Sequence, residues 1–168
     1  MSKSIISKKI LFWYDNNKRI LPWRKNTSKE QKLYFTLVSE FMLQQTQVST
    51  VIPYFKRFVQ KIPNFKKLSK ANDQTLMKLW EGLGYYSRAR NLKKSAIMIN
   101  GKFGGILPSN FEDLKSLPGV GDYTSTAVMA IAFNQKFIPL DGNVERILKR
   151  ALYLRNEKIG RASCRERV

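Results

Sequence analysis

The stretch Leu117-Pro118-Gly119-Val120-Gly121 joins two segments with helical patterning. Pro118 ends the first helix, and the two glycines allow a tight turn whose backbone N–H groups point outward. The next helix begins at once, so its free N–H groups and the positive end of its dipole face the same point. The segment therefore predicts a helical hairpin over residues 111–133 that binds a phosphate oxygen without reading base sequence. An ordinary helix-turn-helix corner is the alternative.

The composition predicts a polyanion as the partner. The 168 residues include 31 Lys and Arg against 12 Asp and Glu, a formal net charge of +19, far more than solubility requires. Ribosomal and membrane-surface proteins share such charge, so charge alone does not identify the partner. No apolar run approaches the roughly 18 residues of a membrane span, and Lys8 and Lys9 interrupt the N-terminal apolar stretch too early for a secretory signal. We expect a cytoplasmic, nucleoid-associated bacterial protein that has no membrane partner.

Cysteine and histidine usage excludes several chemistries. Cys164 is the single cysteine and the chain has no histidine. A disulfide framework, a cysteine metal cluster and histidine-based catalysis are therefore excluded within these residues, and we expect no metal site in them. Cys164 lies in an arginine-rich stretch that departs from the Lys-rich and Asn-rich usage before it. We expect residues 159–168 to be a non-native tail and the native sequence to break off near Lys158.

Hydrophobic periodicity predicts an all-α fold. With 43% hydrophobic residues, the chain can bury one sizeable core and a small second lobe. Residues 21–31 form the longest irregular stretch, and no alternating strand pair is found. Apolar residues recur at helical spacing in eight segments: 5–13, 35–48, 51–59, 76–80, 92–99, 111–117, 124–133 and 144–152.

Two carboxylates are candidate catalytic groups. Glu40 lies inside a largely apolar helix, where desolvation would raise its pKa toward the range of a general acid. Asp141 precedes an amphipathic helix, whose N–H groups favour an ionised carboxylate. The alternatives are a rim glutamate paired with a lysine and a plain helix N-cap. One protonated and one ionised carboxylate would suit cleavage of a glycosidic bond.

The chain resembles the adenine DNA glycosylases of the MutY type, in the helix-hairpin-helix superfamily that includes endonuclease III. Four segments, spread between Leu21 and Leu154, carry the resemblance: Ser39-Glu40-Phe41-Met42-Leu43-Gln44-Gln45-Thr46-Gln47-Val48, residues 82–92, residues 117–121 and Leu140-Asp141-Gly142-Asn143-Val144. It implies an all-α helix-hairpin-helix glycosylase fold, with a six-helix barrel lobe and an incomplete second helical lobe. The implied divisions are an N-terminal helix of the cluster-bearing lobe (1–20), the barrel lobe (21–135) and the start of the second lobe (136–158).

The resemblance implies roles for the residues that would act on the substrate. Glu40 resembles the general acid and base that protonates adenine, and Asp141 the carboxylate that stabilises an oxocarbenium-like sugar, with Asn143 orienting the site. Trp23 and Arg24 resemble the wall of the adenine pocket.

Other positions resemble residues that contact DNA. Tyr85 resembles a wedge that enters the base stack, although a core aromatic beside Tyr86 is the local alternative, and Gln45 resembles a residue that reaches toward the gap left by the flipped base. The implied DNA-binding set is completed by Arg88 and by the hairpin residues Leu117, Gly119, Val120 and Gly121.

Tyr123 separates the subclasses. Bifunctional relatives carry a lysine there that forms a Schiff base, which a phenol cannot do, so the resemblance implies a monofunctional enzyme. Mismatch thymine glycosylases also carry a tyrosine there but lack the glutamate matching Glu40. The implied activity is removal of adenine mispaired with 8-oxoguanine or guanine in double-stranded DNA, by a monomer.

The family's next segments are missing from the sequence. Its members bind a [4Fe-4S] cluster through four cysteines and carry a C-terminal domain that recognises 8-oxoguanine, and this chain has neither. We therefore expect the apolar face of residues 5–13 to lack much of its packing partner. A noncatalytic helix-hairpin-helix DNA-binding module and an inactive truncated product are the alternatives.

Overall fold

The computed structural model describes residues 3–25 and 27–151, so the expected tail at 159–168 and the end of the second-lobe segment lie outside the described residues. The described chain is helical and contains no strand, as the periodicity predicts. Its elements are α1 (Lys3–Asn17), a 3-10 turn (Pro22–Arg24), α2 (Lys29–Leu43), α3 (Val48–Lys61), α4 (Phe65–Ser69), α5 (Asp73–Trp80), α6 (Ser87–Lys102), α7 (Phe111–Lys115), α8 (Asp122–Ala132) and α9 (Gly142–Ala151).

Polar side chains fix where several helices begin. Ser28 accepts a hydrogen bond from the Gln31 N–H, so α2 starts at Lys29, six residues earlier than the periodicity predicts. Asn64 caps α4, a five-residue helix that the sequence analysis missed. Asn72 caps α5 by accepting from the Gln74 N–H, as an N-cap asparagine does.

The core is built around α2. Leu37, Val38, Phe41 and Met42 are fully buried, because α2 packs against α3, α6, α8 and the 3-10 turn. Aromatic side chains from these elements meet edge to face, as Trp23 does with Phe55 at 5.2 Å between ring centroids. Because α2 is packed on several sides, the helix holds its polar residues, including Glu40, in fixed positions.

The two ends of the described chain differ from the core. On α1, Phe12 and Trp13 are 75% and 63% exposed, and α9 has no buried residue. Exposure of α1 agrees with the expectation that residues 5–13 lack packing partners, while the lobe boundaries stay a prediction. No helix in the described part of the chain is long and apolar enough to cross a membrane.

Candidate active site

A cleft of about 740 Å³ lies between α2, α8 and the loops at their ends. It brings together eight of the residues predicted to act on DNA: Trp23, Arg24, Glu40, Gln45, Tyr85, Arg88, Tyr123 and Asp141. Arg19 also lines the cleft, and the sequence analysis missed it because nothing distinguishes it among 31 basic residues. The convergence of separate segments on one cleft is typical of an active site.

Glu40 is the buried carboxyl of this cleft. Its side chain is 7% exposed, and the nearest cation is Arg24, whose Nη2 lies 4.0 Å from Glu40 Oε1. Burial raises the pKa of Glu40, and the charge of Arg24 opposes this rise with a smaller effect. The alternative of a rim glutamate paired with a lysine is therefore wrong. A buried carboxyl with a raised pKa holds its proton to higher pH than an exposed one does, so it is suited to act as a general acid.

Asp141 is a helix N-cap that also lines the cleft, and its catalytic role stays a prediction. Its Oδ1 accepts hydrogen bonds from the N–H groups of Asn143 (3.0 Å) and Val144 (2.7 Å), so it caps α9. It also lines the cleft, where a carboxylate at a helix N-terminus is available to a developing positive charge. Asn143 is exposed and outside the cleft lining, and its Oδ1 accepts from Arg146. Its orienting role stays a prediction.

The segment before Asp141 is held by α7. The ring of Phe137 stacks on Phe111, with centroids 6.3 Å apart and ring planes within 8° of parallel. Gln135 Nε2 donates to the Ser109 carbonyl at 3.4 Å. These contacts anchor residues 135–137 of the segment that leads from α8 to Asp141.

Tyr123 lies near the start of α8, and its ring is 45% exposed. Its pKa is raised by burial first and then by the charges of Glu40 and Asp141, while Arg24 lowers it. The hydroxyl therefore stays protonated and can donate a hydrogen bond into the cleft. No amine is present at this position to attack a sugar.

Gln45 and Tyr85 have unusual backbone conformations. Their φ angles are +57° and +45°, in the left-handed region that side chains other than glycine rarely adopt. Tyr85 is 63% exposed, so the alternative of a core aromatic is wrong. Strained residues that face solvent at the mouth of a cleft point to a function that requires their orientation.

Arg88 does not have the geometry of a phosphate contact. Its side chain is 6% exposed, and its guanidinium donates to backbone carbonyls on both sides, including Met42 at 2.9 Å and Leu83 at 2.9 Å. The predicted DNA contact by this side chain is therefore not supported, because its terminal donors bind the protein.

Two hairpin side chains that were predicted to contact DNA are buried in the core. Leu117 and Val120 are 2% and 5% exposed, and the Val120 N–H donates to the Leu117 carbonyl at 3.0 Å. These two predicted DNA residues therefore serve packing, and a contact with phosphate would have to come from the backbone at Gly119 and Gly121. Gly119 has φ +79°, which explains its glycine. DNA contact by the hairpin stays a prediction.

Comparison with known families places this arrangement among DNA repair proteins. A family model described as HhH-GPD superfamily base excision DNA repair protein matches residues 38–166. That match includes Glu40 on α2, the hairpin and the segment that carries Asp141. The chain belongs to the HhH-GPD superfamily of base excision DNA repair proteins.

Curated relatives narrow the comparison within that superfamily. The chain is 44% identical over 151 residues to the adenine DNA glycosylase of Buchnera aphidicola subsp. Acyrthosiphon pisum, covering 89% of this chain and 42% of the relative. It is 48% identical over 146 residues to the adenine DNA glycosylase of Rattus norvegicus, covering 84% and 28%. The chain thus spans less than half the length of these relatives.

Solved structures share the fold. A thermostable thymine-DNA glycosylase superposes with a TM-score of 0.77 at 28% identity, over 87% of this chain and 66% of that one. An endonuclease III–DNA complex superposes with a TM-score of 0.73 at 23% identity, over 94% and 73%. These likenesses agree with the predicted helix-hairpin-helix glycosylase fold.

Proposed function

We propose that the chain carries the catalytic part of a monofunctional adenine DNA glycosylase, which hydrolyses the N-glycosidic bond of adenine mispaired with 8-oxoguanine or guanine. The observation that carries the proposal is the cleft that holds a buried Glu40, a helix-capping Asp141 and the exposed Tyr85. The names of the relatives support adenine as the base. Glu40 favours adenine over thymine, because adenine needs protonation to leave.

The reaction begins when the adenine leaves the base stack and enters the cleft, at a cost of a few kcal/mol in lost stacking. Tyr85 and Gln45 at the mouth of the cleft would fill the space that the base leaves. The net charge of +19 attracts the duplex through its phosphates.

Two carboxyl groups then divide the chemistry. The proton of Glu40 passes to a ring nitrogen of adenine, and the bond between C1′ and N9 breaks with its electron pair going to the base. Asp141 stabilises the positive charge that develops on the sugar. Water adds to C1′ and gives its proton to Glu40, which restores the acid. The products are free adenine and an abasic site.

Strand cleavage is absent from this scheme. Tyr123 stands at the start of α8, and a phenol cannot form the imine through which lyases cut. Treatment with borohydride during turnover should therefore trap no covalent complex between protein and DNA. Efficient trapping would contradict the monofunctional assignment.

The central test compares Glu40→Gln with Glu30→Gln, which alters an exposed glutamate of the same helix. Each variant is mixed in excess with duplexes that contain adenine opposite 8-oxoguanine, guanine or thymine, and adenine release is followed over one turnover. We expect Glu40→Gln to abolish release and retain DNA binding, while Glu30→Gln matches the unmodified protein. Equal release by the two variants would refute the role of Glu40, and binding without release by the unmodified protein would favour a noncatalytic module.

The family's iron–sulfur cluster does not fit the residues present here. A [4Fe-4S] cluster takes four cysteine ligands, and this chain contains one cysteine. The described ranges also hold no group of three or more His, Cys, Asp or Glu placed to bind a metal. No step of the proposed reaction uses a cluster.

A further inference from the structure

Two turns carry the strained residues at the mouth of the cleft. Gln45 lies in the turn of residues 44–46, which follows α2, and Tyr85 lies in the turn of residues 82–86, which precedes α6. The two residues are forty positions apart in sequence. Both have positive φ, so each turn needs outside contacts to hold its conformation.

One guanidinium bonds to both turns. Arg88 Nη1 donates to the C-terminal end of α2 and to the turn that follows it, and Nη2 donates to the turn before α6. The partners of Nη1 are the carbonyls of Phe41 (3.3 Å), Met42 (2.9 Å) and Gln44 and Thr46 Oγ1 (3.0 Å). The partners of Nη2 are the carbonyls of Leu83 (2.9 Å) and Gly84 (3.2 Å).

We propose that Arg88 is a positioning residue that locks these two turns together, so that Gln45 and Tyr85 enter the duplex as one rigid unit. The inference rests on the proposed function, because the entry of Gln45 and Tyr85 into DNA is part of it. Arg88 itself touches neither the base nor the sugar in this arrangement. It acts through the backbone that carries the two inserting side chains.

The surroundings of Arg88 favour this role over a general structural one. Its guanidinium carbon lies 5.5 Å from the centre of the Tyr85 ring and 5.6 Å from that of Trp80. Trp80 Nε1 also donates to the Gly84 carbonyl, at 3.2 Å, so this carbonyl of the turn before α6 accepts from both Trp80 and Arg88. The planar fork of arginine sends donors in two directions at once, whereas the single ammonium of lysine cannot bridge two separated turns.

The first experiment measures the coupling without DNA. Amide hydrogen exchange is compared for Arg88→Lys and for Arg90→Lys, an exposed arginine two residues further along α6. We expect Arg88→Lys to increase exchange at residues 44–46 and at residues 83–85 together, by about tenfold or more, the effect of losing roughly 1.4 kcal/mol of local stability. Arg90→Lys should leave both segments unchanged. Faster exchange at one segment alone would overturn the proposal.

A second variant covers the case in which Arg88→Lys does not fold. Thr46→Val removes one acceptor of Arg88 and keeps the shape of the side chain. Because Thr46 has no described hydrogen bond to residues 83–85, increased exchange there would report transmission through Arg88. An effect of Thr46→Val that is confined to its own turn would contradict the locking role.

The third experiment links the coupling to DNA. Binding to a duplex with adenine opposite 8-oxoguanine is measured for Gln45→Ala, Tyr85→Ala and Arg88→Lys, alone and combined. We expect Arg88→Lys to weaken binding about tenfold in the unmodified protein and less than about twofold once both inserting side chains are gone, because contacting groups are not additive. Full additivity would overturn the proposal. If the unmodified protein neither binds this duplex selectively nor releases adenine, the proposed function fails, and the exchange measurements still decide whether Arg88 couples the turns.

Discussion

Replacing Gly119 with alanine should destabilise the protein more than the same change at Gly84 or Gly101. A Cβ at Gly119 would lie 2.8 Å from Asn91 Cβ and 2.9 Å from Phe41 Cε1. Phe41 is fully buried and cannot move aside. The new methyl group therefore overpacks the point where the hairpin, α2 and α6 meet.

The magnitude follows from two separate costs. The left-handed backbone at Gly119, with φ +79°, costs an alanine about 1–2 kcal/mol. Overpacking adds about 1–3 kcal/mol, so the free energy of unfolding should fall by roughly 2–5 kcal/mol. In a protein of this size the loss lowers the melting temperature by about 4–20 °C.

Two other glycines provide matched controls. Gly84 also has positive φ, +69°, but a Cβ there meets nothing within 4 Å, so Gly84→Ala should lose only the strain of about 1–2 kcal/mol. Gly101 lies in α6 with open space around it, and Gly101→Ala should gain up to about 1 kcal/mol.

The assay is urea unfolding of the three variants, followed by circular dichroism. The expected order of stability is Gly101→Ala, unmodified protein, Gly84→Ala and Gly119→Ala. A Gly119→Ala variant as stable as Gly84→Ala would refute the packing argument, because the two sites differ mainly in contacts.

Three further predictions concern the cleft. Arg24→Met removes the charge that lowers the pKa of Glu40, so adenine release should continue to higher pH, as a pH–rate profile over one turnover would show; an unmoved profile would contradict the coupling. Burial raises the folded-state pKa of Glu40, so the contribution of this group to stability is complete below the ordinary glutamate pKa and is lost as pH rises through the folded value. Glu40→Gln should remove this loss. If the free energy of unfolding falls with pH as steeply in the variant as in the unmodified protein, the argument is wrong. Phe137→Ala removes the stacking on Phe111 and should slow adenine release through Asp141 while duplex affinity is retained, whereas unchanged release would show that the stacking does not position Asp141.

Part of this architecture could be predicted because its signals are local. The apolar surroundings of Glu40 can be read from neighbouring residues, and the structure confirms that this carboxyl is buried. In α4 only Phe65 and Leu68 are apolar, and two residues are too few for a helical period to be detected. Ser28 is a good N-cap but also a typical loop residue, so the start of α2 was predicted too late.

The part of the site that could not be predicted depends on contacts distant in sequence. Arg88 donates to carbonyls more than forty positions away. Because every residue has a backbone carbonyl, the sequence does not show which of them accept from Arg88. Burial of Leu117 and Val120 likewise depends on how the hairpin packs. For Asp141 the sequence allows both a helix cap and a catalytic carboxylate, and the structure shows the cap and a position in the cleft lining.

The left-handed backbone at Gln45 and Tyr85 has a consequence for protein engineering. Glycine would adopt these φ values without strain, so selection for thermal stability alone would favour glycine at both positions. Such a selection would enrich variants that melt later and have lost the side chains proposed to enter DNA. Thermostability screens should therefore be paired with a screen for duplex binding, because such a selection would replace the two side chains that the proposed function places in DNA.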